Sequence, residues 1–273
     1  MKADLHIHSV FSDGSDSRES ILQKAAAVGI KVLAFTEHDT TEGWQESIAL
    51  GRRYGITVLP GVEISACDAE TGKKVHILGY GFKSAEAINA LCRPVAEARH
   101  ENSLQKIKVL QKLGYKITEA DVLPYAHKYI FKKHIARYLF ESGQEDKIFG
   151  HVYHKIFHGG PGDFGIKYVN AAGAVKVITE SGGKAVLAHP GQQNNFEILP
   201  ELKRAGLWGI ELKHPVHNAY WQKIVLQAAA DYGLYCTGGS DCHGIYSEKY
   251  HAVGSNLCPA AAAEELLKQN KNS

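Results

Sequence analysis

The chain has 273 residues, 44% of them hydrophobic and 22% charged, with a formal net charge of +2. That length suits one barrel or one domain with an insertion. So small a net charge excludes a strong field drawing the protein to duplex nucleic acid or to a membrane surface. No apolar run reaches transmembrane length, the start MKADLHIHS lacks the apolar core of a signal peptide, and the five cysteines have no paired spacing. A cytoplasmic protein in a reducing compartment is expected.

In chain order, the first strand candidate is ADLHIH, from Ala3. Its alternation puts His6 and His8 on one face and Leu5 and Ile7 on the other, and Asp13 follows in a Ser-Asp-Gly turn. SRESILQKAAAVG has helical apolar spacing and a stop at Gly29. KVLAFTEH is the second strand candidate and ends in His38. TEGWQESIALGRRYG is a second helix, closed by Gly55. ITVLPGVEIS brings Glu63, and KVHILGYGF carries His76.

The alternation then breaks. From about residue 84 to residue 168 the pattern is helical only: SAEAINALCRPVAEARHENSLQKIKVLQKLG, EADVLPYA behind a Thr118 cap, FKKHIARYLFES and EDKIFGHVYHKIF, with a GGPGDFG loop after them. A strand-free stretch of this length does not fit βα units, so 84–168 is expected to be an inserted helical subdomain. NAAGAVKVITESGG restores the rhythm. KAVLAHP brings His189, GIELKH is a further strand candidate, and LYCTGGSDCHG brings Asp241 and His243. The polar tail EELLKQNKNS is expected to fray. Strands alternating with helices predict an α/β fold of parallel strands, residues 1–83 and 169–273 forming its main body.

In parallel α/β folds the functional pocket lies at the carboxyl ends of the strands. Nine possible ligands converge there: His6, His8, Asp13, His38, Glu63, His76, His189, Asp241 and His243. Any one alone could be a satisfied polar residue, but six strand ends converging together point to metal. No cysteine lies at ligand spacing, which argues against a closed structural zinc site. Mixed imidazole and carboxylate donors suit Zn, Mn or Fe, and nine ligands suit two or three ions sharing a carboxylate. Such clusters polarise phosphoryl oxygens and generate a nucleophile from water, so metal-assisted hydrolysis is expected. GYGFKS lacks the third glycine of a dinucleotide motif.

DLHIHSVFSDGS, FTEHDT, PGVEIS, VHILGY, AHPG and GGSDCHG resemble, in order and spacing, the motifs of the PHP (polymerase and histidinol phosphatase) family. The likeness is greatest to its stand-alone bacterial phosphoesterases, which act on nucleoside 3′,5′-bisphosphates and short oligoribonucleotides. The resemblance implies a distorted (β/α)7 barrel holding three divalent ions (Mn, Fe or Zn). It implies one ion on His6, His8, Glu63 and Asp241, and a second, bridged by Glu63, on His76 and His189. Asp13, His38 and His243 would hold the third. It further implies catalytic roles for Glu63, Asp241 and His243, hydrolysis by a bridging hydroxide, and a small phosphorylated nucleotide as substrate.

The insertion resembles that branch through His134-Ile135-Ala136-Arg137, although Lys132 and Lys133 stand where the family often has Arg-Pro. Arg137 is expected to grip a second phosphate, with His134, Lys167 and His217 as further substrate contacts. His100, His127, His151, His154, His158 and His251 are expected at the surface. Histidinol-phosphate phosphatase is the alternative within the family, and amide hydrolysis is disfavoured because no lysine occupies a strand end among these motifs. A non-catalytic metal-binding PHP module would have lost ligands, and all nine positions are filled.

Overall fold

The computed structural model describes residues 1–271, with side chains to Gln269; Asn272 and Ser273, the end of the tail expected to fray, lie outside the described residues. All seven strand candidates form strands. β1 (Ala3–Ile7), β2 (Val32–Phe35) and β3 (Thr57–Leu59) make a parallel sheet in that order. Pro60 splits the third candidate, because proline has no amide hydrogen to give a ladder, and β4 (Gly61–Cys67) joins a second sheet. That sheet adds β5 (Lys74–Tyr80), β6 (Val169–Asn170), β7 (Lys184–Leu187), β8 (Gly209–Lys213) and β9 (Tyr235–Gly238), in the order β6-β4-β5-β7-β8-β9.

The sheets meet at two seams. Ile7 bridges Cys242, with His8 N donating to Cys242 O at 3.0 Å and Asp241 N to His6 O at 2.8 Å. His38 bridges Glu63, with Glu63 N donating to Glu37 O at 3.0 Å. Both seams therefore run through candidate ligands. The expectation of parallel strands needs one correction: β5 is antiparallel to both β4 and β7. An antiparallel strand begins where its neighbours end. His76, near the start of β5 and paired with Ser65, thus reaches the same rim as residues at the ends of the other strands.

Helices cover the sheets. α1 (Arg18–Ala27) is capped by Ser17, whose hydroxyl accepts from Ser20 N, and ends at Gly29, φ 78°. α2 (Trp44–Arg53) packs on β3. α3 (Glu86–Lys112) opens the expected insertion as one long helix containing Pro94; α4 (Glu119–Val122) and α5 (Lys132–Glu141) follow, then a π-helical turn at Val152–Ile156. α6 (Ala171–Glu180), α7 (Pro190–Gln193), α8 (Leu199–Ala205) and α9 (Ala219–Tyr232) complete the cover, and α10 (Ala260–Lys271) forms most of the tail expected to fray. Ala262, Ala263 and Leu266 of α10 are buried against β1, β2 and β7, which is why it stays helical.

The main core lies between the six-stranded sheet and α6, α8 and α9, around Ile64, Ile77, Val175, Leu187 and Ile210. No strand forms between Tyr80 and Val169, and this stretch has its own apolar cluster, including Ile107, Leu110, Ile135, Leu139 and Phe157. Among the described residues, no helix is long and apolar enough to cross a membrane.

Candidate metal centre

The rim side chains are fixed by the backbones that carry them. β1 is buried along its whole length, and Gly239 passes so close that an added Cβ would stand 2.3 Å from His6 N, a contact only glycine permits. The turn carrying Asp13 is held by Glu37. This buried carboxylate accepts from Ser9 N at 3.1 Å, from Ser12 Oγ at 2.6 Å and from the Ser9 hydroxyl. Arg18 donates to it through Nε at 3.3 Å and Nη2 at 3.2 Å, and its guanidinium lies 3.7 Å from the Phe11 ring centre. His189 (φ 25°) and Asp241 (φ 48°) have left-handed backbone, a strain that only surrounding structure sustains and that concentrates at functional sites.

The nine expected ligands come together. His6 Nε2 and His8 Nε2 lie 3.2 and 3.1 Å from Glu63 Oε2, and 3.4 and 3.2 Å from Asp241 Oδ1. Four donor atoms so spaced match the edges of a tetrahedron, about 3.3–3.4 Å for bonds of roughly 2.0–2.1 Å. The other oxygen of Glu63, Oε1, lies 2.8 Å from His76 Nδ1 and 2.9 Å from His189 Nε2. Asp13 Oδ1 lies 3.1 Å from His243 Nε2 and 3.9 Å from His38 Nε2, and His38 Nδ1 is 3.3 Å from Glu63 Oε2.

These residues fit metal ions on an observation that ordinary hydrogen bonding does not explain. His6 Nε2, both ring nitrogens of His8, His38 Nδ1, His243 Nε2 and Asp13 Oδ1 are buried without a hydrogen-bond partner. Leaving so many polar atoms orphaned side by side would be costly unless something else satisfied them. The remaining ring atoms show how the donors are aimed. His6 Nδ1 is 2.9 Å from Glu211 Oε1 and His243 Nδ1 is 2.9 Å from the Asp241 carbonyl, so their protons belong there and Nε2 is left with a lone pair.

The electrostatics agree. Burial opposes the charge on Glu63, yet the imidazoles of His38, His6 and His76 hold its carboxyl well below the usual range. Asp241 is likewise held low against burial by His243 and His6, and Asp13 by Lys133 and His243. Burial also opposes the charge on His8, but the close carboxylates of Asp241 and Glu63 outweigh it and push His8 up to about 9. Burial lowers His38 and His243.

Two members of the site escape the sequence reading. Glu211, fully buried in β8, holds His6 and accepts from His189 N at 2.8 Å. His214 Nδ1 accepts from Val216 N at 3.3 Å, leaving its Nε2–H facing Asp241 Oδ2 at 3.2 Å. The signal was present in GIELKH, where Glu211 interrupts the apolar run and His214 follows the strand's last residue.

The expected substrate contacts are more dispersed. Arg137 donates to Glu141 Oε1 at 2.7 Å and to Tyr246 Oη at 3.3 Å, and stacks over Tyr125. His134 is buried, its Nδ1 accepting from Phe131 N at 3.1 Å, its Nε2 without a partner, and burial pushes it down to about 4. Both ring nitrogens of His217 are taken, by Leu212 O at 3.1 Å and Gly191 N at 3.1 Å. Lys167 is exposed. Of the six histidines expected at the surface, His127, His151, His154 and His158 are exposed, while His100 and His251 are half-buried.

With this geometry in hand, likeness to known proteins becomes informative. The PHP domain family model matches residues 4–156, more than half of the chain. A phosphoribosyl 1,2-cyclic phosphate 1,2-diphosphodiesterase of Eggerthella lenta is 43% identical over 255 residues, covering 92% of this chain and 97% of its own. A 3′,5′-nucleoside bisphosphate phosphatase of Chromobacterium violaceum is 33% identical over 249 residues, covering 88% and 86%. Among solved structures, a candidate metal-dependent phosphoesterase from Bifidobacterium adolescentis superposes with a TM-score of 0.89 at 27% identity, covering 98% of this chain and 96% of that one. An amidohydrolase from Chromobacterium violaceum with bound sulfate superposes at 0.84 and 29% identity, covering 98% and 97%.

Proposed function

The chain belongs to the PHP family, and on that premise we propose that it is a metal-dependent phosphoesterase whose substrate is a small ribose phosphate carrying phosphate at more than one position. The observation that carries this reading is the set of buried, partnerless donor atoms at the rim. When bound there, divalent ions would polarise a phosphoryl oxygen, acidify water and shield the leaving oxygen. Three ions are proposed, in the groups implied by the family resemblance.

The chain's own part is to hold and aim. Glu63 faces His6, His8 and His38 with one oxygen and His76 and His189 with the other, the arrangement a bridging carboxylate needs. Asp241 offers Oδ1 to His6 and His8, while His214 Nε2 lies 3.2 Å from its outer oxygen. Glu211 keeps the His6 proton on Nδ1. Residues 84–168 are proposed as a subdomain that overhangs this rim, a reading supported by their separate apolar cluster and by the bond of Lys133 to Asp13 at 2.8 Å. The five unbonded cysteines support a reducing, cytoplasmic setting.

Two substrates fit, and each has support. The 33%-identical relative favours a nucleoside 3′,5′-bisphosphate, and the 43%-identical relative favours a phosphoribosyl cyclic phosphate. Both are ribose phosphates bearing a further phosphate ester on the ring. The test is to load the protein with Mn²⁺, Zn²⁺ or Fe²⁺, confirm the load by elemental analysis, and assay both substrates beside an aryl phosphate. Release of phosphate or ring opening is expected with at least one ribose substrate. Fully loaded protein that hydrolyses none of them would overturn the reading.

A further inference from the structure

Asp13 has two neighbourhoods. One is the metal cluster; the other is a cavity of about 150 Å³ between α3, the start of α5 and the loop after the π-helical turn. Five cations line that cavity: Lys74, Arg99, Lys106, Lys132 and Lys133. Its only carboxylates are Asp13 and Asp163. Asp13 Oδ2 is taken by Lys133 at 2.8 Å, and Asp163 is tied to its own loop, accepting from Gly159 N at 2.7 Å.

The other cations form no ion pair inside the cavity, where Asp163 gives Lys106 and Lys74 only a longer-range attraction. Lys106 Nζ donates to Asn102 Oδ1 at 2.7 Å and Gly162 O at 2.6 Å, both neutral acceptors. Lys132 Nζ meets a neutral ring, His158 Nε2, at 2.8 Å. Arg99 reaches out of the cavity to Asp39 Oδ2 at 2.8 Å, and its buried Nε has no partner. Among the described residues, Lys74, Lys106 and Lys132 form no ion pair with a carboxylate. Burying like charges together without a counter-charge is unfavourable, and the cost falls on the charged form. Burial pushes Lys106 down to about 8, and burial with the crowding of Lys133, Lys74, Lys106 and Arg99 does the same to Lys132.

We propose that this cavity is an anion subsite that binds the phosphate group of the substrate that is not cleaved. The inference rests on the phosphoesterase reading and adds the place of the second phosphate. An anion there would meet the partnerless Arg99 Nε and the ammonium groups of Lys106 and Lys132, contacts strengthened by charge on both sides. Phe131 and Phe157 wall the cavity. Because Asp13 lines the cavity and belongs to the metal cluster, the cavity adjoins the rim at which the ester would be cleaved. The subsite thus favours a substrate that carries a second phosphate beside the cleaved ester.

The test compares a nucleoside 3′,5′-bisphosphate with the nucleoside 3′-monophosphate, which presents the same ester without the anchor. Metal-loaded wild type, Lys106→Gln and Lys132→Gln are assayed, and calorimetric titration with ribose 5-phosphate is run on each. Wild type is expected to prefer the bisphosphate in kcat/KM, and each variant to lose at least tenfold of that preference and of ribose 5-phosphate affinity. A wild type indifferent to the 5′-phosphate, or variants that keep the full preference, would overturn the subsite and leave the phosphoesterase reading standing. If wild type hydrolyses neither compound, that reading fails and the titration alone decides: tenfold weaker binding in the variants supports the subsite, while equal or absent binding overturns it. Should Lys106→Gln not fold, shown by circular dichroism, Lys132→Gln at the cavity mouth decides the question by itself.

Discussion

The metal rim and the cavity beside it share one residue, Asp13, and are otherwise built on opposite plans. The rim mixes carboxylates and imidazoles in one cluster: Glu63, Asp241 and Glu211 are interleaved with His6, His8, His76 and His189 at 2.8–3.4 Å. The cavity gathers cations with hardly any answering charge. Most of the rim's side chains stand on strands and seams held by backbone hydrogen bonds. The cavity's cations come mainly from two helices that reach the strands through Arg99–Asp39, Arg99–Ser65 and Lys133–Asp13. Chemistry that serves any phosphate ester can sit on the rigid part, and selection can sit on a part free to differ between relatives.

The largest effect should come from breaking the rim at its centre. Glu63→Ala removes the carboxylate that faces both ligand groups, so kcat is expected to fall by about 10³-fold or more, the several kcal/mol an ion supplies. Elemental analysis should show fewer ions per chain and circular dichroism a folded protein. A variant with full metal content and substantial turnover would contradict the bridging role. One step out, Glu211→Gln keeps the shape but weakens the hold on His6. Metal affinity is expected to fall about 10–100-fold, read by competition with a chromogenic chelator, while the cavity's affinity for ribose 5-phosphate stays put. If both sites weaken together, the two regions are not independent.

How much of this could be read beforehand follows the same division. His6 and His8 were legible because a strand alternates and a two-residue spacing puts both rings on one face; Asp241 and His243 were legible because a glycine-flanked acid ends another strand. His76 was found for an incomplete reason, since its strand runs antiparallel and its early position, not its late one, reaches the rim. Glu211 and His214 were passed over although they stand in a recognised strand pattern. The meeting of the two sheets was also only partly legible, since the seams are single bridges that leave no periodic mark. The cavity left no trace at all. Arg99, Lys106 and Lys132 lie on different helical turns and elements, each looking like an ordinary surface cation, and only the packing of α3 against α5 turns them inward.

A smaller effect tests whether the rim's charges are tuned to ions rather than to one another. His8 is raised to about 9 by Asp241 and Glu63 against the opposing effect of burial. A histidine raised above its unfolded value, near 6.5, stabilises the fold fully below about pH 6.5 and loses that contribution as pH rises through 9. Chelator-treated protein should therefore lose on the order of 3 kcal/mol between pH 6.5 and 9, since each pH unit between the two values is worth about 1.4 kcal/mol. Metal-loaded protein should move the other way, because ions and protons compete for the same lone pairs. Urea melts at pH 6.5 and 9, with and without metal, check the sign; parallel trends in both forms would mean that the orphaned atoms are not donors to ions.

The smallest effect expected separates two ways in which the insertion could hold a second phosphate. Arg137 has the planar fork that suits a phosphate, and its place in His-Ile-Ala-Arg makes it the obvious candidate. In the fold that fork is already engaged by Glu141 and Tyr246, its side chain is 27% exposed, and it does not line the cavity. A phosphate reaching it would have to displace Glu141 and would gain a contact screened by water, worth about 0–1 kcal/mol. Arg137→Ala should thus reduce the preference for a 3′,5′-bisphosphate over the 3′-monophosphate by roughly fivefold at most, less than either cavity lysine. The ordering matters more than the value. If Arg137→Ala costs more than Lys106→Gln and Lys132→Gln, the second phosphate lies at the open edge near Tyr246, and the cavity's uncompensated cations need another anion to explain them.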